Sequence, residues 1–327
     1  MIGTAIGSLP GLEYDEAVRL VLGELPDLPH VPELPDRGVG AEMIGRTLGL
    51  IGGLDADLQP VGWRLTGTSG APGVDQRRAR SLLSRDLDTV EEFTQGYRGR
   101  FKTQVTGPWT LAANVEKPRG DKVLSDHGAR RDLAEALAEA IGAHVGDLRR
   151  RVAGAAEIIV QIDEPALAAV MAGAISTASG FGKHRTVEVP AASALLETVF
   201  AAVTEAGATP WVHSCAAGTP WGLLRDAGAR GLLVDLSQLD AADFDQTAEA
   251  IEAGLTVGLG VVPSTDSTLP DTRIVDRVLR WLDIVGLDAE EHGDRIVVTP
   301  SCGLAGASPA YARTALALVR TSAAALS

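Results

Sequence analysis

The sequence predicts an α/β fold, and within that class a (β/α)8 TIM barrel, on three observations. Near-continuous apolar runs such as Ile158-Ile159-Val160 and Ile296-Val297-Val298 alternate with amphipathic helical periods, the pattern of a parallel sheet covered by helices. Eight strand candidates begin near residues 4, 30, 101, 157, 209, 231, 255 and 295, and eight βα units are what a (β/α)8 barrel requires. No G-x-G-x-x-G follows the first strand, so a doubly wound dinucleotide-binding sheet is the weaker alternative. Residues 1–327 read as a single barrel domain with an excursion around 55–85.

Taken in order, residues 4–10 form a first strand ending in a turn, and 14–25 a helix with an apolar stripe through Ala17, Val18, Val21 and Leu25. Residues 26–35 carry too much proline for a helix and leave a short extended piece at 30–34, the weakest of the strand candidates. Residues 41–50 are helical. Residues 55–71, with Trp63 and several glycines, read as an excursion or hairpin. A helix over 87–96 precedes a strand running into Thr106-Gly107-Pro108. A long helix spans about 129–152 and closes in Arg149-Arg150-Arg151, a polarity that suits the helix dipole and a solvated helix end. Strand 157–162 ends in Asp163-Glu164-Pro165. Four helix-then-strand units follow, with strands at 209–213, 231–236, 255–262 and 295–299, and a last helix covers 309–324.

Composition narrows the function classes. The formal net charge is -14, which disfavours nucleic acid and anionic membrane surfaces as partners. No apolar run reaches the ~20 residues of a membrane span. The N-terminus lacks the basic and apolar regions of a signal peptide, so a cytoplasmic location is expected. Two cysteines far apart in such a chain are expected as metal or redox ligands before a structural disulfide.

In a barrel, chemistry sits at the C-terminal strand ends. Those ends deliver Ser8, Asp163 and Glu164, His213 and Cys215, Asp235, and Cys302. One imidazole and two thiols make a borderline-soft donor set that suits Zn²⁺, and the alternation of a strand puts His213 and Cys215 on one side. Asp235, one strand over, is the best candidate for a fourth ligand, unless that place belongs to water or substrate. The bland alternative is two small buried cysteines and a hydrogen-bonded histidine. Asp163 and Glu164 are either helix caps or a carboxylate pair for substrate ammonium and acid/base work, with Asp163 the expected catalytic carboxylate. Gly7 and Ser8 are either a turn or donors for a substrate carboxylate. His127, His144 and His292 are expected at the solvated surface.

Together, Gln161-Ile162-Asp163-Glu164-Pro165-Ala166-Leu167, His213-x-Cys215, Pro300-Ser301-Cys302-Gly303-Leu304, Ile6-Gly7-Ser8 and Thr106-Gly107-Pro108 resemble, in the same order, the catalytic C-terminal barrel of cobalamin-independent methionine synthase. The resemblance implies a zinc-binding barrel that transfers a methyl group to the thiol of homocysteine. It implies His213, Cys215 and Cys302 as zinc ligands. It assigns Ile6, Gly7, Ser8 and Asp163 to the amino-acid part of homocysteine, and a further carboxylate for the amine to Glu42, with Glu33 as competitor. The sequence departs from the family in four ways. The fourth zinc ligand of the family is a glutamate and matches Asp235 here. A folate-contacting glutamate matches Ala169. The proton-donor histidine falls near Thr265-Asp266, where no histidine stands. The chain also has no room for the related N-terminal barrel of the full-length enzyme.

These losses cluster on the methyl-donor side. The expected partners are therefore homocysteine and a donor that is a folate or a corrinoid, with delivery by a partner protein allowed. Two rival readings are a non-catalytic zinc- or thiol-binding subunit of a methyltransferase system and a uroporphyrinogen decarboxylase-like barrel enzyme.

Overall fold

The computed structural model describes residues 1–67 and 72–327. Strands β1 (Ile2–Gly3), β4 (Gly99–Thr106), β5 (Ala155–Asp163), β6 (Thr209–Ser214), β7 (Gly231–Asp235), β8 (Thr256–Val262) and β9 (Ile296–Pro300) form one seven-stranded parallel sheet. Its order is β1-β9-β8-β7-β6-β5-β4. A separate antiparallel hairpin, β2 (Ala56–Gln59) and β3 (Gly62–Leu65), is tied to the body where the Leu65 amide donates to the Glu116 carbonyl at 2.8 Å. It accounts for part of the excursion expected around 55–85; residues 68–71 of that stretch lie outside the described residues.

Helices run between the strands because the apolar stripes of the sequence recur at helical spacing and the ends are capped. The long α5 (His127–Arg151) starts where Asp126 accepts from the Ala129 amide. The helix α9 (Ala241–Glu252) opens with a reciprocal capping box between Asp240 and Asp243, and α10 (Asp271–Val285) stops at Gly286, whose φ of 71° is the left-handed conformation only glycine adopts without strain. Among the described residues, no helix is long and apolar enough to cross a membrane.

The prolines at 29, 32 and 35 keep the second strand candidate out of regular pairing, since proline brings no amide donor to a ladder. The segment nevertheless hydrogen-bonds to both outer edges of the sheet. The Val31 amide donates to the Lys102 carbonyl and the Lys102 amide to the Pro29 carbonyl, each at 2.9 Å. On the other side, the Glu33 amide donates to the Gly7 carbonyl at 3.1 Å and the Leu9 amide to the Glu33 carbonyl at 2.8 Å. Glu33 thus lies between the Ser8 turn and β4.

Two apolar clusters result. The larger one packs helices against the outer sheet face. The smaller holds Ile6, Leu28, Ile159, Trp211, Leu233 and Val297 on the inner face, as a floor beneath the strand ends. Glycines make the floor possible. Gly231 is the register partner of Trp211, and a Cβ there would lie 2.5 Å from the indole. Gly258 partners Leu233, and a Cβ there would lie 2.7 Å from it.

Several sequence expectations change. The helix expected over 87–96 is the end of a 20-residue helix α3 (Val74–Phe93), and the one expected over 41–50 is α2 (Met43–Leu50). The regular part of the first strand is Ile2–Gly3, ahead of the expected 4–10, and beyond it only Ser8 forms an isolated bridge, to Glu33, among the described residues. His144, expected at the surface, is buried between α5 and β4, where its Nε2 meets Thr103 Oγ1 at 3.0 Å. Burial drops its pKa to about 4, so it stays neutral. Arg151, expected in a solvated helix end, makes ion pairs with Asp88, Glu91 and Asp147.

Candidate active site

Two strands bring the donor set together. His213 and Cys215 leave the end of β6, and Cys302 lies just past β9. The three ligand atoms all lie within 4.8 Å of one another. Cys215 Sγ is 2.7 Å from Cys302 Sγ, and Cys302 Sγ is 4.0 Å from His213 Nε2. His213 is buried, and its Nδ1 sits 3.2 Å from the Leu233 carbonyl, which assigns the ring proton to Nδ1 and leaves the Nε2 lone pair toward the sulfurs. The two thiols shift in opposite directions. Cys215 falls to about 4, held down by the Cys302 thiol and then by His213, while Cys302 is pushed up by its hydrogen bond to Cys215 and by burial. An imidazole nitrogen and two sulfurs converging on one point are the chemistry of a soft divalent metal site, so the residues present fit zinc.

These residues line an open cleft of about 330 Å³ together with Ile6, Gly7, Ser8, Glu33, Glu42 and Asp163, and Asp163 is the register neighbour of His213 on the adjacent strand. The expected metal and substrate residues are therefore brought together, with one exception. Asp235 lines a neighbouring cleft with Ser237, Thr265, Arg277 and Ser301. Its Oδ1 accepts from the Ser237 amide at 2.9 Å and the Ser237 hydroxyl at 2.7 Å, and it is outside the three-residue donor group.

The two glutamates differ. Glu42 is exposed at the lip, whereas Glu33 is buried and accepts hydrogen bonds from Arg46 and, at 3.0 Å, from Gln104 Nε2. The sequence admitted both; the geometry puts Glu33 inside. Asp163 is also buried. Its Oδ1 accepts from Gln161 Nε2 at 2.7 Å, and burial pushes its pKa to about 7 against the pull of His213 and Lys102. Glu164 turns the other way. Its carboxylate accepts from the Trp109 amide, the Thr110 amide and the Thr110 hydroxyl, at 2.8, 2.8 and 2.6 Å, and so caps α4 (Pro108–Asn114). Asp163 lies in the cleft, and Glu164 does cap a helix, but the earlier α4 rather than the helix expected to follow the pair.

The Ser8 turn is locked to the Cys302 loop. The Leu304 amide donates to the Ser8 carbonyl at 2.8 Å, and a Cβ at Gly303 would lie 2.1 Å from Ser8 Oγ. Gly7 is as tightly placed, since a Cβ there would lie 2.4 Å from Gln104 Nε2.

Below the cleft lies a polar layer that pattern reading missed: Lys102, Gln104 and Gln161, all buried. Lys102 Nζ donates to the Ile6 carbonyl at 3.0 Å and to Gln161 Oε1 at 2.6 Å. Burial lowers its pKa to about 7, opposed by Asp163 and Glu33. The signal was available. Lys102 and Gln104 alternate along β4, and Gln161 lies on β5 opposite Gln104, all in phase with Asp163.

A parallel α/β sheet that gathers a His-x-Cys pair, a distant cysteine and buried carboxylates at its C-terminal strand ends defines the class: an α/β protein whose donor set fits a soft metal. The particular family follows from comparison. A family model described as the cobalamin-independent synthase, catalytic domain, matches residues 89–325, and the chain belongs to that family. A B12-independent methionine synthase from Shewanella sp. W3-18-1, solved in complex with selenomethionine, superposes with a TM-score of 0.66 at 15% identity, over 99% of this chain and 97% of that one. Weaker structural matches include an oxaloacetate acetylhydrolase (TM-score 0.38, 12% identity, 94% and 78% covered) and a morphinone reductase variant (TM-score 0.43, 12% identity, 91% and 81% covered). No curated protein matches the chain by sequence.

Proposed function

We propose that the chain is a zinc-dependent S-methyltransferase that methylates homocysteine to methionine, built as a single (β/α)8 barrel domain in which residues 29–33 serve as the eighth strand. The observation that carries this reading is the convergence of His213, Cys215 and Cys302 in a cleft that Asp163 and Glu33 also line. The residues match the two ends of homocysteine. Sulfur donors and an imidazole face the thiol end. Carboxylates suit its ammonium, and the Gly7-Ser8 turn offers backbone and hydroxyl donors to its carboxylate. Selenomethionine in the Shewanella enzyme is an analogue of the product this reading requires.

His213, Cys215 and Cys302 would hold the zinc, with Asp235 as the proposed fourth ligand once it leaves Ser237. When bound, zinc supplies the Lewis acidity that keeps a substrate thiol deprotonated at neutral pH. The chain's own residues do the rest. Asp163 and Glu33 fix the amino-acid end, so the sulfur is presented in one orientation, and the inner-face floor of Trp211 and Leu233 limits how deep the substrate sits. The donor is a methylfolate or a methylcorrinoid, brought by a partner protein if Ala169 and Thr265 leave the folate side without its family contacts. A cytoplasmic site of action accords with this chemistry.

The test is metal analysis followed by transfer assays. Purified protein is expected to hold zinc stoichiometrically, to lose it in Cys302→Ser, and to form methionine from homocysteine with methyltetrahydrofolate or methylcobalamin. Zinc and homocysteine binding without turnover from either donor would leave a binding subunit. Metal-free protein with unaltered homocysteine binding would remove the metal from the reading.

A further inference from the structure

Lys102 is the one feature of the cleft's surroundings that homocysteine chemistry does not by itself require. Lysine is almost never fully buried unless paired, and Lys102 is wholly buried at 0% exposure. Among the described residues it makes no direct ion pair. Its ammonium instead rests on the Ile6 carbonyl at 3.0 Å and on Gln161 Oε1 at 2.6 Å. A buried cation held only by neutral oxygens is costly to desolvate, and an apolar side chain of the same length would fold at least as well.

The hydrogen-bond inventory shows what the cation does. An ammonium only donates. Gln161 must therefore turn its oxygen to Lys102, which commits its NH2 group to the other side. There Nε2 donates to the Ile6 carbonyl at 2.9 Å and to Asp163 Oδ1 at 2.7 Å. With Lys102 in place the amide cannot flip, Asp163 always meets a donor, and the Asp163 carboxylate is held as an acceptor. The Ile6 carbonyl, gripped twice, fixes the peptide that leads into Gly7 and Ser8 at the cleft wall. Gln104 provides the contrast. Its Nε2 serves Val31 and Glu33 in the same manner, but no cation backs it and its Oε1 is buried without a partner.

We propose that Lys102 is a positioning residue that, through Gln161, orients Asp163 and the Ile6-Gly7-Ser8 turn so that the cleft selects thiols bearing an α-ammonium over thiols without one. This rests on the reading of the cleft as a homocysteine site.

The experiment compares binding of L-homocysteine and of 4-mercaptobutanoate, the same thiol acid without the amine, to zinc-loaded protein by calorimetry, alongside zinc content and thermal midpoint. The wild-type protein prefers homocysteine. Lys102→Met is expected to lose about tenfold or more of that preference, the scale of a hydrogen bond to a charged group, while zinc content and 4-mercaptobutanoate affinity hold. Gln161→Glu, which preserves volume and neutralises the Lys102 charge, is expected to lose the preference too, and it decides the matter if Lys102→Met does not fold. An unchanged preference in the variants, or an equal loss for both thiols, overturns the positioning role and leaves the homocysteine site standing. A wild-type protein that binds neither thiol overturns the homocysteine reading itself, and the inference with it.

Discussion

Asp163 and Glu164 are adjacent in sequence, both buried, and both pushed by burial to a pKa of about 7, yet they serve opposite sides of the sheet. Asp163 enters the cleft, where one oxygen is fixed by Gln161 and the other takes no hydrogen bond from a described residue. Glu164 leaves the cleft and spends both oxygens on the first turn of α4. A shifted pKa therefore marks burial in both and function in neither by itself. What separates them is whether the carboxylate's acceptor capacity is already used up by the fold. The spare oxygen belongs to Asp163.

Substitutions can break this contrast from either side. The largest effect is expected from Glu164→Ala, which strands two backbone amides and a hydroxyl in the interior. Each unsatisfied group costs roughly 1–3 kcal/mol, so a loss of about 4 kcal/mol in unfolding free energy is expected in denaturant titration. Asp163→Asn is expected to leave the unfolding midpoint near its original value and to weaken homocysteine binding about 100-fold, the scale of losing a charged partner in a desolvated site. If instead Asp163→Asn unfolds the protein and Glu164→Ala does not, the two roles are reversed. Gly107→Ala sharpens the contrast. A Cβ at Gly107 would lie 2.4 Å from Glu164 Oε1, so about 2 kcal/mol of overpacking is expected on stability, with homocysteine affinity intact.

The most gradual effect is expected on the pH profile, spread over several pH units. The folded pKa of Glu164 is raised from 4.5 to about 7, so the folded state holds its proton after the unfolded state has lost it. Its contribution is then greatest below pH 4.5 and falls as pH rises toward 7, by at most about 1.4 kcal/mol per pH unit. Glu164→Gln should flatten that share of the slope and leave the share of Asp163, which has the same sign.

The contrast also explains how far the sequence could be read. The strand ends were legible because continuous apolar runs stop abruptly at Asp163, His213 and Cys302. The donor set was legible because alternation puts His213 and Cys215 on one side of β6. The choice between Glu33 and Glu42 was not. It depends on a proline-rich segment whose hydrogen bonds to two separate edges have no periodic signature. Nor was the outward turn of Glu164, since α4 is seven residues long and has no apolar stripe to announce it. His144 looked like one more polar residue in a charged helix, and only the packing of α5 on β4 shows that Thr103 awaits it. Asp235 was placed on the right strand, but the nearby Ser237 that engages it was not weighed as a competitor.

The paired glycines of the inner-face floor have a consequence for substitution. Trp211 occupies the space a side chain at Gly231 would need, and Leu233 that of one at Gly258. Volume in this layer is therefore a shared quantity between neighbouring strands. Trp211→Val alone empties a cavity and Gly231→Val alone collides, but the double exchange restores the sum. Substitutions at such positions are therefore expected to be tolerated best in linked pairs. Because Trp211 lies two residues from His213 on the same face, a lineage can replace the floor without touching the donor set only by taking both steps together.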